Sequence, residues 1–560
     1  MNTHRTDKLG VLQSSESQMD FIKKTYSEIY HASSHQSNTY DLLLKDLVDY
    51  ATRWAWTNGL CFIKNPPSLK STYLIPFSLL PSLIPKKSFY QGEIASRLYT
   101  ELLTKLLYYP EYLEILHEIE NGPGEEFIYQ LVTIAKRCYG SEPFQRKLSD
   151  DILFGVFRSD YLLSSSDEIP LAQVEINTIS VSYGSIACKL ESYYRNVLRK
   201  LFGSRDRDEF HLPSNSALSS TVSSMKNVYD MYIEKHKNNI VDNCLPAVLF
   251  VVSDKEKNQM DQNFLQIYLE ALQVPVLRKS FAELCYMVTK TTCEGFPYLS
   301  LIPLNVNSIS PTLIDLNSPF SPGRLILYDI KQFYEIALIY YRTGYDPSDY
   351  SCDHHKCWKL RELFEFSDAI KCPNVYHQLS GFKKMQSKWL NFIHVLRSPD
   401  IDKATKILTS VAVDHVNLSD YSSSEKTRKV VAEALKNPNN FVLKSQQEGG
   451  SEILYGSECL DILKHCQDFG CESSSEKSCY CLMRFIHSDQ HQSISISSAE
   501  SITVKERTVS ELGFFTTTIS SQNGLCEVKS AGHLLRTKEA HLRSGGVTIG
   551  SAFLDYPLLY

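Results

Sequence analysis

The sequence is poor in glycine and proline and has no long apolar run, and these shortages exclude several classes of protein. Its 23 glycines and 22 prolines among 560 residues are too few for a fibrous or wholly disordered chain. The most apolar early stretch, residues 73–85, contains three prolines and is too short to span a bilayer. Residues 1–20 contain no apolar leader. We therefore predict no association with a membrane.

Positive charge is not in excess, and the common hydrolase and nucleotide-loop motifs are missing. Lys and Arg number 58 against 64 Asp and Glu, a net charge of −6, which argues against a general nucleic-acid binder but allows a local basic pocket. The patterns GxSxG, HExxH and GxxxxGK[ST] are absent. The 15 cysteines show no regular spacing. Together with the missing leader, they predict a reducing, cytoplasmic setting with free thiols.

The length suggests about three or four domains' worth of chain, and the patterning predicts an α/β fold with mixed sheets. Residues 1–40 are polar and serine-rich, which predicts a disordered or frayed N-terminus. We expect residues 41–240 to hold a helical region and the first part of the core. The apolar run 247–252, followed by an amphipathic stretch, predicts an inserted parallel α/β domain over 241–375 with a surface insertion at 297–324. Residues 376–560 would complete the core with glycine-rich loops.

A carboxylate and an amide lie two residues apart at Glu175 and Asn177. In an extended strand, residues i and i+2 face the same side. Oxygen ligands of this kind suit Mg²⁺, which takes one or two carboxylates together with substrate phosphates. A solvated strand face explains this tripeptide equally well and is the more common case.

Two basic segments precede glycine pairs. A predicted strand ends at Lys444 and runs into Glu448-Gly449-Gly450, and Arg536 and Lys538 precede a second pair at 545–546. A glycine turn can lay backbone N–H groups and a cation against phosphates. Ordinary basic turns are the alternative for both segments.

Cysteine and histidine cluster over residues 352–357, which read CDHHKC. Such ligands suggest zinc. Adjacent His354 and His355 would nevertheless point apart, and no second pair occurs at zinc-finger spacing. We interpret this segment as a coincidence in a loop.

The motifs taken in order resemble the eukaryotic-type glutathione synthetase family of ATP-grasp ligases. The resemblance runs from about residue 50 to the C-terminus. It rests on FRSDYLL (157–163), QVEINTISVSYG (173–184), EKNQMDQ (256–262), YYRTGYDP (340–347), AIKCPNVYHQLSGFKKMQ (369–386), NPNNFVLKSQQEGGSEILYG (437–456), VSELGFF (509–515), GHLLRTK (532–538) and SGGVTIGSAFLDYP (544–557).

The resemblance implies an ATP-grasp fold and an ATP-dependent ligase that joins γ-glutamylcysteine to glycine through an acyl phosphate. It implies Mg²⁺ as cofactor and a homodimer. The implied metal ligands are Glu175, Asn177 and Glu448. The implied ATP contacts are Glu175, Lys383, Lys444, Gln446, Glu448, Gly449, Gly450, Tyr455, Met483, Arg484, Phe485, Ile486, Glu511 and Lys538.

The resemblance also implies a peptide site and a set of catalytic cations. The cations are Arg158, Lys383, Lys444 and Arg536. The implied peptide contacts are Arg158, Ile179, Ser180, Val181, Ser182, Glu256, Lys257, Asn258, Gln262, Arg342, Thr343, Gly344, Tyr345, Arg536, Val547 and Thr548. The chain departs from the family at Gln447, Ser451, Glu452, Ile453 and Ser544. A ligase with another amine acceptor, and a binding paralogue with weakened catalysis, therefore stay open as alternatives.

Overall fold

The structure of the chain is a computed structural model. It describes residues 15–34, 38–109, 111–112, 114–116, 126–140, 151–203, 210–238, 240–288, 298–304, 315–316, 318–329, 331–396, 400–445, 453–469, 480–497, 502–521, 524–543 and 545–560. Strands and helices alternate through these ranges, which confirms the predicted α/β class.

The helices cover the sheets and join their strands. They are α1 (Ser15–Ser34), α2 (Asn38–Thr57), α3 (Lys86–Leu106), α4 (Glu126–Tyr139), α5 (Gly184–Phe202), α6 (Ala217–His236), α7 (Gln259–Ala271), α8 (Phe281–Val288), α9 (His354–Phe366), α10 (Val375–Ser380), α11 (Lys383–Gln386), α12 (Ile401–Val411), α13 (Glu425–Lys436) and α14 (Leu460–Phe469). Short 3₁₀ turns occupy Pro347–Tyr350, Trp389–Leu396, Leu418–Asp420, Pro438–Asn440 and Gly456–Cys459. None of the described helices is long and apolar enough to cross a bilayer.

The strands are β1 (Cys61–Asn65), β2 (Ser68–Leu74), β3 (Phe77–Ser78), β4 (Ser82–Ile84), β5 (Leu153–Leu163), β6 (Leu171–Asn177), β7 (Cys244–Val252), β8 (Val276–Ser280), β9 (Tyr298–Pro303), β10 (Gly323–Asp329), β11 (Gln332–Tyr341), β12 (Ile370–Cys372), β13 (His415–Asn417), β14 (Phe441–Lys444), β15 (Ile453–Tyr455), β16 (Cys481–Arg484), β17 (His491–Ile496), β18 (Ile502–Ser520), β19 (Cys526–Glu539), β20 (Ala552–Asp555) and β21 (Pro557–Leu559).

The largest sheet carries most of the charged motifs. Its strand order is β17-β3-β20-β19-β18-β5-β6, and β17 also pairs with β18. The long antiparallel register sets Asp160 opposite Glu175 and Glu511 opposite Arg536. Directly opposed residues share a face of the sheet, so segments far apart in the sequence present their charges together.

The second sheet lies within residues 241–375, where an inserted parallel α/β domain is predicted, and it is not wholly parallel. Its order is β8-β7-β11-β10-β9, with β12 also on β11. Strand β11 runs parallel to β7 and β12, whereas β9 and β10 are antiparallel. The prediction of a surface insertion over 297–324 is wrong where β9 forms. Leu299 and Ile302 of β9 are buried in two different apolar clusters, because β9 pairs with β10 and both of its faces are covered.

A smaller sheet, β13-β16-β14-β15, packs beneath α13 and α14. Its core is apolar and includes Val431, Phe441 and Leu482. Strand β14 ends at Lys444, as predicted, and the next described residues after 445 begin at β15. Two further small sheets pair β1 with β2 and β4 with β21.

The N-terminus and one cysteine differ from the predictions. Residues 15–34, expected to be disordered or frayed, form α1 and bury Ile22, Tyr26 and Ile29, so that prediction is wrong for this helix. The apolar residues recur every three or four positions, a helical period that the many serines obscured. Residues 1–14 and 35–37 lie outside the described part. Cys466, expected to be a free thiol, is disulfide-bonded.

Candidate active site

Four polar residues of β5 and β6 form a hydrogen-bonded group on one face of the large sheet. Arg158 donates to both carboxylate oxygens of Asp160, at 2.7 and 2.8 Å. The amide nitrogen of Asn177 donates to Asp160 at 2.9 Å and lies 3.5 Å from Glu175. Two-residue alternation brings both pairs to the same side of adjacent strands. The bidentate face of Arg158 is therefore already occupied within the chain.

Strands β18 and β19 add Glu511 and Arg536 to this face. Arg536 pairs with Glu511 and also lies 3.3 Å from Asp160. Gly513 stands opposite Asp160. A Cβ at this glycine would lie 2.7 Å from the Asp160 carboxylate and 2.9 Å from Cδ of Arg158. Because Gly513 has no side chain, the Arg158–Asp160 pair can occupy the space next to it.

The short helix α11 brings Lys383 to the carboxylate of Glu175, 3.6 Å away. Gln386, at the end of this helix, is bonded to both backbone groups of Ile176. Its amide nitrogen donates to the Ile176 carbonyl and its amide oxygen accepts from the Ile176 N–H, each at 3.2 Å. Gln386 thereby fixes α11 against β6 and holds Lys383 in place.

Opposed charges shift two pKa values at this site. Burial alone would raise the pKa of Glu175, but Lys383, Lys444, Arg158 and Arg536 lower it to about 2. Glu175 is consequently a carboxylate at any physiological pH.

The pKa of Lys444 moves in the other sense. Burial lowers the pKa of Lys444 to about 8, which Glu175 opposes and Lys383 reinforces. The buried surroundings of Lys444 disfavour its charged form, so a bound anion would stabilise the ammonium group.

The balance of charge favours a multivalent anion. Arg158, Lys383, Lys444, Arg536 and Lys538 outnumber the carboxylates Asp160, Glu175 and Glu511. The arrangement also fits a hard divalent cation. Glu175 is ionised and offers carboxylate oxygens of the kind such a cation prefers, while the amide nitrogen of Asn177 faces Glu175 and Asp160.

A second polar group lies at the end of β11. Arg342 donates to the Val181 carbonyl and, at 3.1 Å, to the hydroxyl of Ser182. It also lies 3.5 Å from Asp261, which accepts from the backbone N–H groups of Tyr183 and Ser185 at 2.9 Å each. Burial raises the pKa of Asp261, although Arg342 and these donors lower it. Arg342 and Asp261 together hold the loop between β6 and α5.

This loop has an unusual backbone. Ser180 and Tyr183 take φ values of 53° and 73°, in the left-handed region that non-glycine residues rarely adopt. Arg158 donates to the carbonyl of Ser182 at 3.4 Å, which connects the loop to the charged face. The hydroxyl of Thr548 lies 2.5 Å from that of Tyr183. The predicted peptide contacts at 179–182 and Thr548 are thus brought together.

The remaining predicted peptide contacts surround the same loop. Glu256 accepts from the backbone of Asn258 at 2.7 Å, and Gln262 accepts from Arg278 at 2.7 Å. Both side-chain polar atoms of Asn258 and the amide nitrogen of Gln262 are buried without a hydrogen-bond partner. Buried polar atoms that lack partners are exceptional in folded proteins. A polar ligand could satisfy them.

The other predicted peptide contacts are buried or bonded within the chain. Thr343 and Val547 are buried, and the Gly344 and Tyr345 N–H groups are bonded to Asp349 at 2.8 and 3.2 Å.

The predicted nucleotide-base segment adjoins an open cavity of about 320 Å³. Tyr455, Phe485 and Arg543 line it, and the rings of Tyr455 and Phe485 are 6.1 Å apart. Lys538 donates to the Arg543 carbonyl at 3.2 Å, and the Tyr455 hydroxyl donates to the same carbonyl at 3.3 Å. The cavity is therefore connected to the cations of β19.

Some predicted residues are not gathered at the site. Arg484 pairs with Glu433 at 3.0 Å and with Asp414 at 3.2 Å, so its side chain faces away from the charged group. Met483 is buried within β16. Gln446, Glu448, Gly449 and Gly450 lie outside the described residues, as do Gln447, Ser451, Glu452 and Ser544.

Sequence reasoning missed three residues that organise these groups, namely Asp160, Gln386 and Asp261. Asp160 could have been found, because it lies two positions from Arg158 in the strand that carries it. Gln386 and Asp261 act on backbone groups more than 70 residues away in the sequence. No local pattern shows such pairings.

Comparisons with known proteins show the family to which the chain is similar. The family model described as the ATP-binding domain of eukaryotic glutathione synthase matches residues 41–559. Glutathione synthetase of Xenopus laevis is 28% identical over 521 residues, covering 92% of this chain and 97% of that protein. The human glutathione synthetase is 28% identical over 522 residues, with 92% and 96% covered.

Two further relatives extend the comparison. The chloroplastic glutathione synthetase of Solanum lycopersicum is 27% identical over 486 residues, covering 86% of this chain and 77% of that protein. The solved structure of a glutathione synthetase-like effector from Globodera pallida superposes with a TM-score of 0.63 at 18% identity, covering 94% of this chain and 98% of that one. That structure shows a shared fold. The family model spans almost the whole described chain, and the chain therefore belongs to the eukaryotic glutathione synthase family.

Proposed function

We propose that the chain is an ATP-dependent ligase that joins γ-glutamylcysteine to glycine and yields glutathione, ADP and phosphate. One observation carries the proposal. A face with surplus cations and the Glu175–Asn177 pair lies beside a polar loop with unpartnered buried groups, and Arg158 touches both. The arrangement supports an ATP-grasp core over 41–240 and 376–560, with residues 241–375 contributing to the peptide site.

ATP would bind across the charged face. Lys383 and Lys444 neutralise phosphate oxygens, and Glu175 and Asn177, together with Glu448, would hold Mg²⁺. The bound metal supplies charge neutralisation for the transferring phosphoryl group. The base would occupy the cavity beside Tyr455 and Phe485, where stacking on aromatic rings favours a purine. Lys538 bridges the cavity and the charged face.

The first step transfers the γ-phosphoryl group of ATP to the C-terminal carboxylate of the dipeptide, which gives an acyl phosphate and ADP. Such a transfer needs positioned cations more than a protein nucleophile. Arg536 and Nη1 of Arg158, which also donates to the Ser182 carbonyl, would orient the carboxylate. Asp160 keeps both guanidinium groups in place.

The second step forms the peptide bond. The amine of glycine attacks the acyl carbon, phosphate leaves with the electron pair of the broken C–O bond, and the amine loses a proton. Arg342 holds the 181–182 loop against the dipeptide and so sets the position of the acyl group. Water must be kept out because it would hydrolyse the acyl phosphate.

One assay tests the proposal. Purified full chain is mixed with γ-glutamylcysteine, glycine, ATP and Mg²⁺, and ADP and glutathione are measured. We expect equal amounts of both products, and at least a hundredfold loss of rate in Glu175→Gln and Lys444→Ala. Lys226→Ala, which alters an exposed ion pair on α6, is the matched control. ADP formation without glutathione would contradict the assignment.

The same assay identifies the amine acceptor. Glycine is compared with alanine, serine and β-alanine at equal concentration, with tripeptide formation read by mass spectrometry. Glycine should give the highest kcat/KM. A higher value with another amine would replace glycine as the substrate while leaving the ATP chemistry intact.

A cytoplasmic homodimer completes the proposal. Tyr90 and Ile94 of α3 are 44% and 45% exposed, which provides apolar surface within the helical N-terminal region. Sedimentation of the full chain should give twice the monomer mass. A monomer at micromolar concentration would remove this part of the proposal and leave the activity untouched.

A further inference from the structure

Three thiols that the proposed ligase chemistry does not use converge between α8 and α9. Cys285 lies on α8, Cys352 precedes α9, and Cys357 lies in the first turns of α9. The sulfur of Cys357 is 3.4 Å from that of Cys285 and 2.7 Å from that of Cys352. All three sulfur atoms lie within 4.8 Å of one another. The sequence could not show this group, since Cys285 is 67 residues from Cys352.

The surrounding packing holds the three sulfurs in a fixed frame. Trp358 of α9 stacks on Tyr350 at 3.9 Å between ring centroids, and Tyr350 contacts Phe281 of α8 at 5.0 Å. Cys285 and Cys357 are buried, whereas Cys352 is exposed. The group is therefore rigid on its inner side and open to solvent at one sulfur, which provides a path of entry for an ion.

We propose that Cys285, Cys352 and Cys357 form a binding site for a thiophilic metal ion, with Zn²⁺ as the ion that the donor set fits best. Thiolates are preferred zinc ligands, and bonds of about 2.3 Å in a tetrahedral arrangement separate two sulfurs by about 3.8 Å. The sulfur of Cys357 lies closer than this to both others, at 3.4 Å from Cys285 and 2.7 Å from Cys352. Binding needs an outward shift of about 1 Å by Cys352, the exposed sulfur, and release of the thiol protons.

Asp353 and His354 are engaged by other partners, which leaves the fourth position to water or to the exposed His355. Asp353 accepts from the Lys356 N–H at 3.2 Å and pairs with its ammonium at 2.7 Å. His354 Nε2 accepts from the Trp358 ring at 3.2 Å. Three protein ligands and a solvent-facing fourth position favour a reversible site over a closed structural one.

Occupancy would stiffen the segment that carries Arg342. The Tyr350 hydroxyl donates to the Gly344 carbonyl at 3.2 Å, and Asp349 accepts from the Gly344 N–H at 2.8 Å. The metal would tie α8 to α9 on either side of this turn. We expect the bound ion to stabilise the folded state, because it binds the three thiolates together only when the chain is folded.

The test uses the full chain, reduced and freed of metal with a chelator. Zn²⁺ alone is titrated against a chromophoric competitor, and Co²⁺ replaces it for absorption spectroscopy. We expect one equivalent of Zn²⁺, a thiolate-to-cobalt charge-transfer band and a rise of several degrees in Tm. Each effect should be lost in Cys352→Ser, whose position is exposed and whose folding is checked by circular dichroism. Cys526→Ser, a partly exposed cysteine on β19, should behave as the parent chain.

Two results would overturn the site. One is equal zinc binding by the parent chain and by a Cys285→Ser/Cys352→Ser/Cys357→Ser variant. The other has two parts: peptide mass spectrometry finds a Cys352–Cys357 disulfide in the protein as purified, and the same protein binds no zinc after full reduction. The ligase assay is read separately, so failure of the metal site leaves the proposed function standing.

Discussion

At the scale of single residues, Asp160 organises the charged face. It is 1% exposed and accepts from Arg158 twice, from Asn177 and from Arg536. A buried carboxylate with this many charged donors is strongly tied to them. Asp160 acts as a positioning residue, because its side-chain hydrogen bonds in the described structure all come from other residues of the site.

Replacing Asp160 by Asn keeps its shape and removes its charge. The second oxygen of the bidentate pair is lost, and an amide would face the guanidinium group of Arg158. We expect a loss of about 10–100-fold in kcat/KM, as for other groups that orient metal or substrate ligands. Steady-state kinetics with both substrates measures it. Asp230→Asn, on an exposed pair of α6, should change nothing. Unchanged kinetics in Asp160→Asn would remove the positioning role.

Lys444 gives a pH dependence with a defined sign. Its pKa in the protein without ligand is about 8, and in the proposed function its protonated form would bind phosphate. Bound phosphate raises that pKa, so ATP affinity should fall as pH rises through 8, by up to about tenfold per pH unit. Calorimetry with a non-hydrolysable ATP analogue between pH 6.5 and 9.5 measures this. Lys444→Arg keeps its charge and should give a flat profile over this range. Identical profiles for both proteins would assign the dependence to another group.

At the scale of elements, three adjacent strands leave no space for a side chain at one position of the middle strand, Gly513. Strand β18 lies between β5 and β19, and it carries Gly513 opposite Asp160. The glycine is there because the Arg158–Asp160 pair fills the volume of its absent Cβ. Strand register therefore decides where this pair can exist.

Gly513→Ala should displace the Asp160 carboxylate and lower kcat/KM about as much as Asp160→Asn does. The physical reason is the 2.7 Å approach to the carboxylate oxygen. A double-mutant cycle with Asp160→Ala separates this cause from general disruption of the strand. The added methyl group should cost less once the carboxylate is gone, because only its contact with the flexible Arg158 side chain remains. Full additivity of the two losses would contradict the steric explanation.

At the scale of the whole molecule, the N-terminal helix is part of the core. The Tyr30 hydroxyl donates to the Gln492 carbonyl of β17 at 2.9 Å. Burial, reinforced by Asp555, raises the pKa of Tyr30. The first helix thus packs on the same sheet that carries the charged face, on residues more than 450 positions away.

Truncating a buried side chain of α1 tests this packing. Ile29→Ala should lower the free energy of unfolding by about 2–5 kcal/mol, because it removes buried methyl groups and leaves a cavity. Urea denaturation followed by circular dichroism measures it. Lys24→Ala, on the exposed side of the same helix, should stay within about 0.5 kcal/mol. Equal stability of Ile29→Ala and the parent chain would mean that α1 does not pack as described.

Much of the charged face could be predicted from the sequence, because strand geometry is local. Alternation alone sets Glu175 and Asn177 on one side of β6, and a strand ending at Lys444 was readable from its apolar run. The family resemblance then connected these segments. The α/β class also followed from apolar patterning. The same reasoning failed at α1 and β9. Their serine and proline residues suggested loops, although their apolar residues pack into the core and form a helix and a strand.

The sequence by itself determined which side chains share a face of each strand or helix, because that depends only on backbone periodicity. Tertiary structure alone decided which faces meet. It paired Glu511 with Arg536, placed Gln386 on the backbone of Ile176 and brought Cys285 to Cys357. These contacts depend on strand register and helix packing, which are set by burial of the whole core and not by neighbouring residues.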